Sequence, residues 1–278
     1  MDIPFNAVGS GEVWCHFLHA NGYPPLAYRN LLTLLSQKSQ VVAMHLRPLW
    51  PGSDPQALLD WRLLADDLTQ FLDDHHLNHL VGIGHSVGGV TTLRLALRQP
   101  ERFSRLVLID PVLFPPRMIH FWRLVYYLGL AEILHPLVRG AKRRRMVFES
   151  RQAMFDNYRR KAVFSKISDE GLQDYVEALA HSCTDGQVEL AYPPQWEARI
   201  YVTGLLADLE LWRKLPTLKP PLLIIRGSET NTFWVETGRL VQRCLPQAQV
   251  VTLPEASHLV PLEKPLQVYD TIDAFFKN

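Results

Sequence analysis

The sequence predicts an α/β fold, in which a mostly parallel sheet carries helices on both faces. Short continuous apolar runs, suited to strands buried on both faces, alternate with segments whose apolar residues recur at three- and four-residue steps. Such alternation is typical of a parallel sheet covered by helices on both sides. The alternation stops over residues 114–219, which predicts that a separate unit is inserted into the sheet-forming chain.

Six apolar runs are predicted as strands, and four segments between them as helices. The predicted strands are residues 13–18, 41–46, 80–83, 106–109, 222–225 and 250–253. The predicted helices are residues 26–35, 57–72, 90–97 and 234–245. The chain is long for one small domain but suits one such core that carries an insertion.

The insertion is predicted to be helical and to cap the core. It is rich in arginine and aromatic residues and has helical spacing without a strand run of comparable quality. Proline pairs mark its ends, Pro115-Pro116 at the start and Pro220-Pro221 at the close. We therefore divide the chain into core residues 1–113, a helical cap at 114–219, and core residues 220–278.

Composition narrows the possible partners. The residues are 47% hydrophobic and 21% charged, and the formal net charge of +1 gives no electrostatic reason to expect a nucleic-acid partner. Three cysteines without C-x-x-C spacing argue against a disulfide framework and favour a reducing, cytoplasmic location. No spacing predicts a metal site, and no nucleotide fingerprint predicts a cofactor. The sequence carries no sign of the oligomeric state.

The most apolar stretch, residues 119–138, is predicted as an amphipathic cap helix and not as a stable membrane insertion. It contains Arg123 and Glu132, which are costly within a bilayer. A membrane-surface role is the alternative. The basic runs 142–145 and 159–161 are predicted to be solvated helix faces, and attraction of an anionic substrate or an acidic membrane is their alternative.

The strongest local motif is Gly84-His85-Ser86-Val87-Gly88-Gly89, between a predicted strand and a predicted helix. This is the context of a G-x-S-x-G turn, which lifts a serine above the sheet in a strained backbone conformation. Glycine suits the positions two before and two after the serine, where backbones approach closely. The motif makes Ser86 a candidate nucleophile and aims the Val87 N–H at the same point.

A second motif, Ala256-Ser257-His258-Leu259, follows the last predicted strand. A histidine in this loop can reach the carboxyl edge of the sheet, where Ser86 also lies. His258 is therefore the candidate base for the serine proton. A third motif, His19-Ala20-Asn21-Gly22, follows the first predicted strand, and its Asn21 N–H is paired with the Val87 N–H as a candidate oxyanion hole.

These motifs resemble the α/β-hydrolase superfamily, in the branch with a helical cap after the sixth strand, from about residue 13 to 276. Gly84 to Gly89 resembles the nucleophile elbow, residues 19–22 the oxyanion loop and Ser257-His258 the base loop. Ala20 stands where the family usually has glycine. Leu46-Arg47-Pro48 departs from the usual Asp-x-Arg of the following loop.

The triad acid is the main departure from the family pattern. The resemblance places an aspartate after the strand at 222–225, but the sequence there reads Gly227-Ser228-Glu229-Thr230-Asn231-Thr232. Three candidates remain open. We prefer Asp110, which ends the strand at 106–109, and keep Glu229 and Asn231 as alternatives, although an aspartate before proline can also merely cap a turn.

The resemblance implies a serine hydrolase that cleaves a carboxylic ester, a thioester or a lactone through an acyl-enzyme on Ser86. It implies a small-molecule acyl substrate and no cofactor or metal. Two alternatives stay open: a Ser/His lyase on the same scaffold, and a binding protein that has lost catalysis, which the missing acid favours. A dehalogenase or epoxide hydrolase is disfavoured, because those relatives need a carboxylate where Ser86 stands.

Overall fold

The computed structural model describes residues 2–184 and 186–277. The first part of the chain alternates strands and helices, as the apolar pattern predicts. Its elements are β1 (Phe5–Val8), β2 (Val13–Leu18), α1 (Arg29–Leu35), β3 (Gln40–Met44), α2 (Arg62–Asp74), β4 (Leu80–His85), α3 (Val87–Arg98) and β5 (Phe103–Ile109).

The segment between β5 and the next long strand is largely helical. Its elements are α4 (Pro116–Tyr127), α5 (Ala131–Leu134), α6 (Val138–Lys142), β6 (Val147–Phe148), α7 (Arg151–Arg159), α8 (Asp169–Leu179), β7 (Ala180–Ser182), β8 (Val188–Leu190), α9 (Pro194–Thr203) and α10 (Leu209–Lys214). The three strands form a small antiparallel sheet in the order β6-β8-β7. Strands of two or three residues are too short to show a sequence period, so they were not predicted.

The last part of the chain returns to the large sheet. Its elements are β9 (Leu222–Gly227), α11 (Val235–Cys244), β10 (Gln249–Leu253), α12 (Val260–Glu263) and α13 (Pro265–Lys277). Short 3₁₀ turns join several elements, at Pro25–Tyr28, Arg47–Leu49, Pro55–Ala57, Pro100–Arg102, Ala162–Phe164 and Leu215–Thr217.

The large sheet has seven strands within the described residues, in the order β1-β3-β2-β4-β5-β9-β10. β1 runs antiparallel to β3, and the remaining neighbours are parallel. Every residue of β4 and β9 is buried, which explains why these strands read as continuous apolar runs without alternation. The predicted α/β fold is thereby confirmed.

Helices cover both faces of this sheet and bury two separate apolar cores. On one face, Leu68 of α2, Leu93 of α3 and Val241 of α11 belong to one cluster. On the other face, Leu32 of α1 and Ile272 of α13 belong to a second cluster. Burying one apolar side chain of this size contributes about 2 kcal/mol, so the two layers together hold the sheet and its edges in place.

Two differences from the prediction have a clear physical reason: one strand was missed, and one helix begins later than predicted. β1 was not predicted, because its residues alternate between exposed and half-buried positions and it is only four residues long. α2 begins at Arg62 and not near residue 57. The Asp54 side chain accepts a hydrogen bond from the Gln56 N–H, and that of Asp60 accepts one from the Arg62 N–H, so the chain turns twice before the helix starts.

The register aligns the carboxyl ends of the central strands. Leu18 of β2 lies opposite Gly84 of β4, while His85 lies opposite Ile109 of β5. Ile109 in turn lies opposite Ile225 of β9. The loops that follow these strands therefore meet at one edge, as expected for binding sites of parallel sheets. Within the described ranges, no helix is long and apolar enough to cross a membrane.

Candidate active site

Ser86 occupies the sharp turn between β4 and α3. Its backbone angles, φ 58° and ψ −122°, are strained for a residue with a side chain. The turn is tight: a Cβ added at Gly84 would lie 2.5 Å from the Gly88 carbonyl oxygen, and one added at Gly88 would lie 2.2 Å from the Leu18 carbonyl oxygen. Only glycine fits both positions, so the sequence motif is required by the backbone geometry.

His258 lies in the loop between β10 and α12. Its Nε2 atom is 3.0 Å from the Ser86 hydroxyl oxygen, which is hydrogen-bonding distance. The Ser86 residue is 5% exposed, whereas the His258 side chain is 24% exposed. The imidazole is thus more accessible to solvent than the serine to which it is hydrogen-bonded.

Asp110 follows the last residue of β5 and has a positive φ of 41°. Its backbone N–H donates to the Ile225 carbonyl oxygen over 2.7 Å, which ties this unusual conformation to β9. The buried carboxylate points to the base: Asp110 Oδ1 is 2.9 Å from His258 Nδ1. The structure therefore places Ser86, His258 and Asp110 in one hydrogen-bonded row.

The loop after β9 surrounds the Asp110 carboxylate with donors. The hydroxyls of Thr230 and Thr232 donate to Oδ1 over 2.6 and 2.7 Å, and the Gly227 N–H donates to Oδ2 over 2.9 Å. The Thr232 hydroxyl oxygen also lies 2.6 Å from His258 Nδ1. These two threonines occupy the loop where the family's usual acid was expected, and sequence reasoning did not assign them this role.

The environment favours the charged form of Asp110. Burial alone would raise the pKa of this carboxyl group, but the hydrogen bond and charge of His258 and the two threonine hydroxyls outweigh it, so the pKa lies below its usual value. A carboxylate that stays ionised can orient the imidazole and stabilise a positive charge on it.

The two other candidate acids lie elsewhere. The Glu229 carboxylate forms an ion pair with Lys166 and its side chain is 53% exposed. Asn231 is exposed, and its backbone carbonyl accepts a hydrogen bond from the Trp234 indole. Among the residues that the structure describes, neither side chain hydrogen-bonds to His258. Of the three candidates, the geometry brings only Asp110 to the base.

The candidate oxyanion donors flank the serine. Val87 is the first residue of α3, and the N–H groups of a helix's first turn have no partner within the helix. In the loop after β2, the Ala20 N–H donates to the Tyr28 hydroxyl, while the Asn21 side chain bonds to the Tyr192 hydroxyl and the Glu197 carbonyl. The loop is thus fixed through its neighbours, and the Asn21 backbone N–H is not consumed by those bonds.

A row of polar groups beneath the serine connects these loops. The Tyr28 hydroxyl, which accepts from Ala20, lies 2.8 Å from His85 Nδ1, and His85 Nε2 lies 2.8 Å from the His258 carbonyl oxygen. Burial lowers the pKa of His85 to about 3, so the ring is neutral. Because the His258 carbonyl oxygen can only accept, the proton of the neutral ring must be on Nε2. Nδ1 then accepts a hydrogen bond from the Tyr28 hydroxyl.

The basic run 142–145 differs in part from its prediction as a solvated face. Lys142, Arg143 and Arg145 are exposed, but Arg144 is mostly buried. Its guanidinium forms an ion pair with Glu197 and donates to the Tyr158 and Tyr175 hydroxyls. This arginine therefore connects to Glu197, whose backbone carbonyl also accepts a hydrogen bond from the Asn21 side chain, and it already has three protein partners.

Comparisons with known proteins identify the family and the fold. The model of the "Alpha/beta hydrolase family" matches residues 17–271. The uncharacterised hydrolase YugF of Bacillus subtilis is 24% identical over 90% of this chain and 85% of its own length. Esterase YbfF of Escherichia coli is 22% identical over 80% of this chain and 76% of its own length.

A solved structure shows the same fold. The crystal structure of E-2-(acetamidomethylene)succinate hydrolase superposes with a TM-score of 0.78 and 19% identity, covering 99% of this chain and 94% of the other. The family match begins within β2 and ends within α13, so it covers most of the chain but not the edge strand β1. The chain therefore belongs to the alpha/beta hydrolase family.

Proposed function

We propose that this hydrolase-family chain is a serine hydrolase that cleaves a carboxylic ester through a covalent acyl-enzyme on Ser86. One observation carries the proposal: Ser86 Oγ, His258 Nε2, His258 Nδ1 and Asp110 Oδ1 follow one another at 3.0 and 2.9 Å across the imidazole. This is the order of contacts that nucleophilic catalysis by serine requires. The esterases and hydrolases among its relatives support the same reaction class.

In the first step, Ser86 Oγ attacks the acyl carbonyl carbon while His258 Nε2 accepts the hydroxyl proton. A new C–O bond forms, and the carbonyl π electrons move to the oxygen. The Asp110 carboxylate, held ionised by its donors, stabilises the resulting imidazolium through Nδ1. Thr230 and Thr232 keep that carboxylate in place.

The negative charge on the carbonyl oxygen is stabilised by the backbone N–H groups of Val87 and Asn21 in this proposal. Such preorganised donors typically contribute about 3 kcal/mol each to the transition state. The His258 proton then passes to the departing alcohol as its C–O bond breaks. Water, deprotonated by the same nitrogen, then attacks the acyl carbon. The bond from that carbon to Ser86 Oγ breaks, His258 Nε2 returns its proton to Ser86 Oγ, and the carboxylic acid is released.

We further propose that residues 114–219 cap this site. Tyr192 and Glu197 of that segment hold the Asn21 side chain, so the segment lies against the loop that carries a candidate oxyanion donor. The aromatic and apolar character of the segment favours a medium-sized hydrophobic acyl group. A thioester or a lactone presents the same electrophilic carbonyl and is an alternative substrate.

The experiment is labelling with a fluorophosphonate, read as intact mass. We expect one adduct on the wild type and none on Ser86→Ala, because only an activated serine reacts with this probe. Ser165→Ala is the matched control, since that serine is exposed and its hydroxyl bonds only to the Ala162 carbonyl. It should label fully. p-Nitrophenyl esters of increasing chain length then define the acyl preference.

Three outcomes would contradict the proposal. An unlabelled but folded wild-type protein would favour the binding-protein alternative, and equal labelling of Ser86→Ala would place the reactive group elsewhere. Turnover of a substrate without an acyl-enzyme, detected by mass spectrometry of the quenched reaction, would favour the lyase alternative over hydrolysis.

A further inference from the structure

The second half of α4, together with α5, exposes an unusual amount of apolar side chain. The described residues include fourteen large hydrophobic side chains with exposed surfaces, and eight of these lie between Phe121 and Leu137. They are 39% to 77% exposed, with Ile133 and Tyr127 at the upper end. Single exposed apolar residues are common on soluble proteins, but a cluster of this kind marks an interaction site.

α4 carries apolar side chains on its exposed side as well as on its buried side. Phe121, Leu124 and Leu128 follow at steps of three and four residues and are exposed, while Ile119 and Val125 are buried against the protein. Both sides of the helix are therefore apolar, one towards the protein and one towards solvent. We call the exposed residues between Phe121 and Leu137 the α4–α5 face.

Cationic residues adjoin the α4–α5 face. From Arg117 to Val147 the sequence has seven arginines and lysines and one acidic residue, Glu132, which bonds to Lys142. Arg139 and Arg143 lie four residues apart, begin directly after the apolar stretch, and are exposed. Neither forms an ion pair with any residue in 2–184 or 186–277. The chain as a whole carries a formal charge of only +1, so this positive charge is local.

We propose that the α4–α5 face and the adjacent Arg139 and Arg143 form a peripheral docking surface for a membrane that contains anionic lipid. Apolar side chains enter the boundary between headgroups and acyl chains, and the arginines contact lipid phosphates, as interfacial amphipathic helices do. The proposal is independent of the hydrolase activity. It also agrees with the absence, among the described helices, of one that could cross the bilayer.

The positive charge beside the α4–α5 face favours an anionic membrane over a second copy of this chain as the binding partner. A second copy of this chain would present the same cationic residues, and like charges facing each other oppose self-association. Anionic headgroups are complementary to Arg139 and Arg143, and the acyl region accepts Leu124 and Ile133. A membrane with anionic lipid therefore provides a partner for the apolar α4–α5 face and for the two arginines.

The test is co-sedimentation of the full chain with vesicles of phosphatidylcholine, with and without phosphatidylglycerol. We expect binding to the anionic vesicles that weakens as salt rises. The double variant Leu124→Glu/Ile133→Glu should bind at least ~10-fold more weakly, because two apolar side chains are lost from the interface. Reversal of both arginines, Arg139→Glu/Arg143→Glu, should weaken binding to anionic vesicles by roughly 20-fold or more.

Matched variants separate a specific surface from general stickiness. Leu59→Glu/Leu266→Glu removes two apolar side chains of similar exposure far along the chain, and Arg239→Glu/Arg243→Glu reverses an exposed arginine pair of the same spacing on α11. Both should bind like the wild type. Fluorophosphonate labelling of each variant without lipid reports the Ser86 site separately from docking.

Three results would overturn the proposal. The wild type could fail to bind either vesicle, the control pairs could lose as much binding as the α4–α5 variants, or light scattering could show a dimer that Leu124→Glu/Ile133→Glu converts to a monomer. The last result would make the face a contact between copies of this chain.

Discussion

His85 Nε2 lies 2.8 Å from the backbone carbonyl oxygen of His258, although the two residues are far apart in the sequence. His85 directly precedes Ser86, while His258 comes from the loop after the last strand of the sheet. The residue next to the proposed nucleophile therefore anchors the backbone of the proposed base. The neutral ring, with its Nδ1 atom bonded to Tyr28, can act only as a donor to that carbonyl.

This contact makes His85 a positioning residue. We expect His85→Leu to lower kcat for ester hydrolysis about 10-fold to 100-fold, because misplacement of the base by a fraction of an ångström impairs proton transfer. KM should change little, since the ring is buried away from the outside. Steady-state kinetics with a p-nitrophenyl ester measures both values.

His85→Gln is the matched variant. Its side-chain amide can donate to the His258 carbonyl, so it should recover part of the lost kcat, whereas a purely structural defect would track thermal stability instead. If both variants lose kcat equally while their melting temperatures differ, the positioning role is wrong.

A second prediction concerns the proposed acid. Asp110→Asn should reduce kcat by about 10³-fold to 10⁴-fold, because an amide supplies no charge and disturbs the tautomer of His258. Glu229→Gln is the matched control. It removes a carboxylate from the loop after β9, and that carboxylate forms an ion pair with Lys166 and not with His258. It should retain nearly full kcat. Equal effects of the two substitutions, measured at one pH, would refute the assignment of Asp110.

Asp110 also shows where sequence reasoning stops. The sequence shows that Asp110 follows a strand. Its distance from His258, however, depends on β5 lying beside β9, and the apolar pattern does not predict the order of strands in a sheet. The same neighbourhood brings Thr230 and Thr232 to the carboxylate. Their signal in the sequence was only negative: the usual acid was missing from that loop.

Ser86 was easier to predict, because its position follows from local sterics. Gly84 is required by backbone contacts within the turn and Gly88 by the close approach of Leu18 at the end of β2, and the six residues of the motif carry the whole signal. The polar row of Tyr28 and His85 was missed for the opposite reason, since the two residues are far apart in the chain and neither belongs to a spacing that predicts chemistry. Long-range polar contacts need the folded arrangement.

The third prediction concerns Thr232. Thr232→Val removes a hydroxyl that donates to Asp110 Oδ1 and lies within hydrogen-bonding distance of His258 Nδ1, while it keeps the volume of the side chain. A hydrogen bond to a charged group contributes about 1.5 to 3 kcal/mol, so kcat should fall roughly 10-fold to 100-fold. The measurement is kcat across pH, with melting temperature recorded alongside.

Thr217→Val is the control for that change, because Thr217 is exposed and its hydroxyl bonds to the Lys214 carbonyl at a helix end. It should alter kcat by less than twofold, as a surface substitution away from the site. A Thr232→Val enzyme with wild-type kcat would show that the hydroxyl is dispensable for orienting the acid and the base.

The last prediction concerns stability and pH. His16, His19 and His85 are fully buried, and burial lowers the pKa of each from its ordinary value to about 3. The unfolded chain takes up a proton on each ring below pH 6.5, whereas the folded chain does not until about pH 3. Stability is therefore fully present above pH 6.5 and is lost as pH falls through this window, by about 2 kcal/mol per histidine at pH 5.

His16 allows this linkage to be isolated, because neither of its ring nitrogens has a hydrogen-bond partner within the described protein. We expect His16→Leu to be at least as stable as the wild type at pH 7 and to lose about 2 kcal/mol less on going to pH 5. Urea unfolding at a series of pH values measures the slope. A full wild-type slope in His16→Leu would contradict the assignment of this proton to His16.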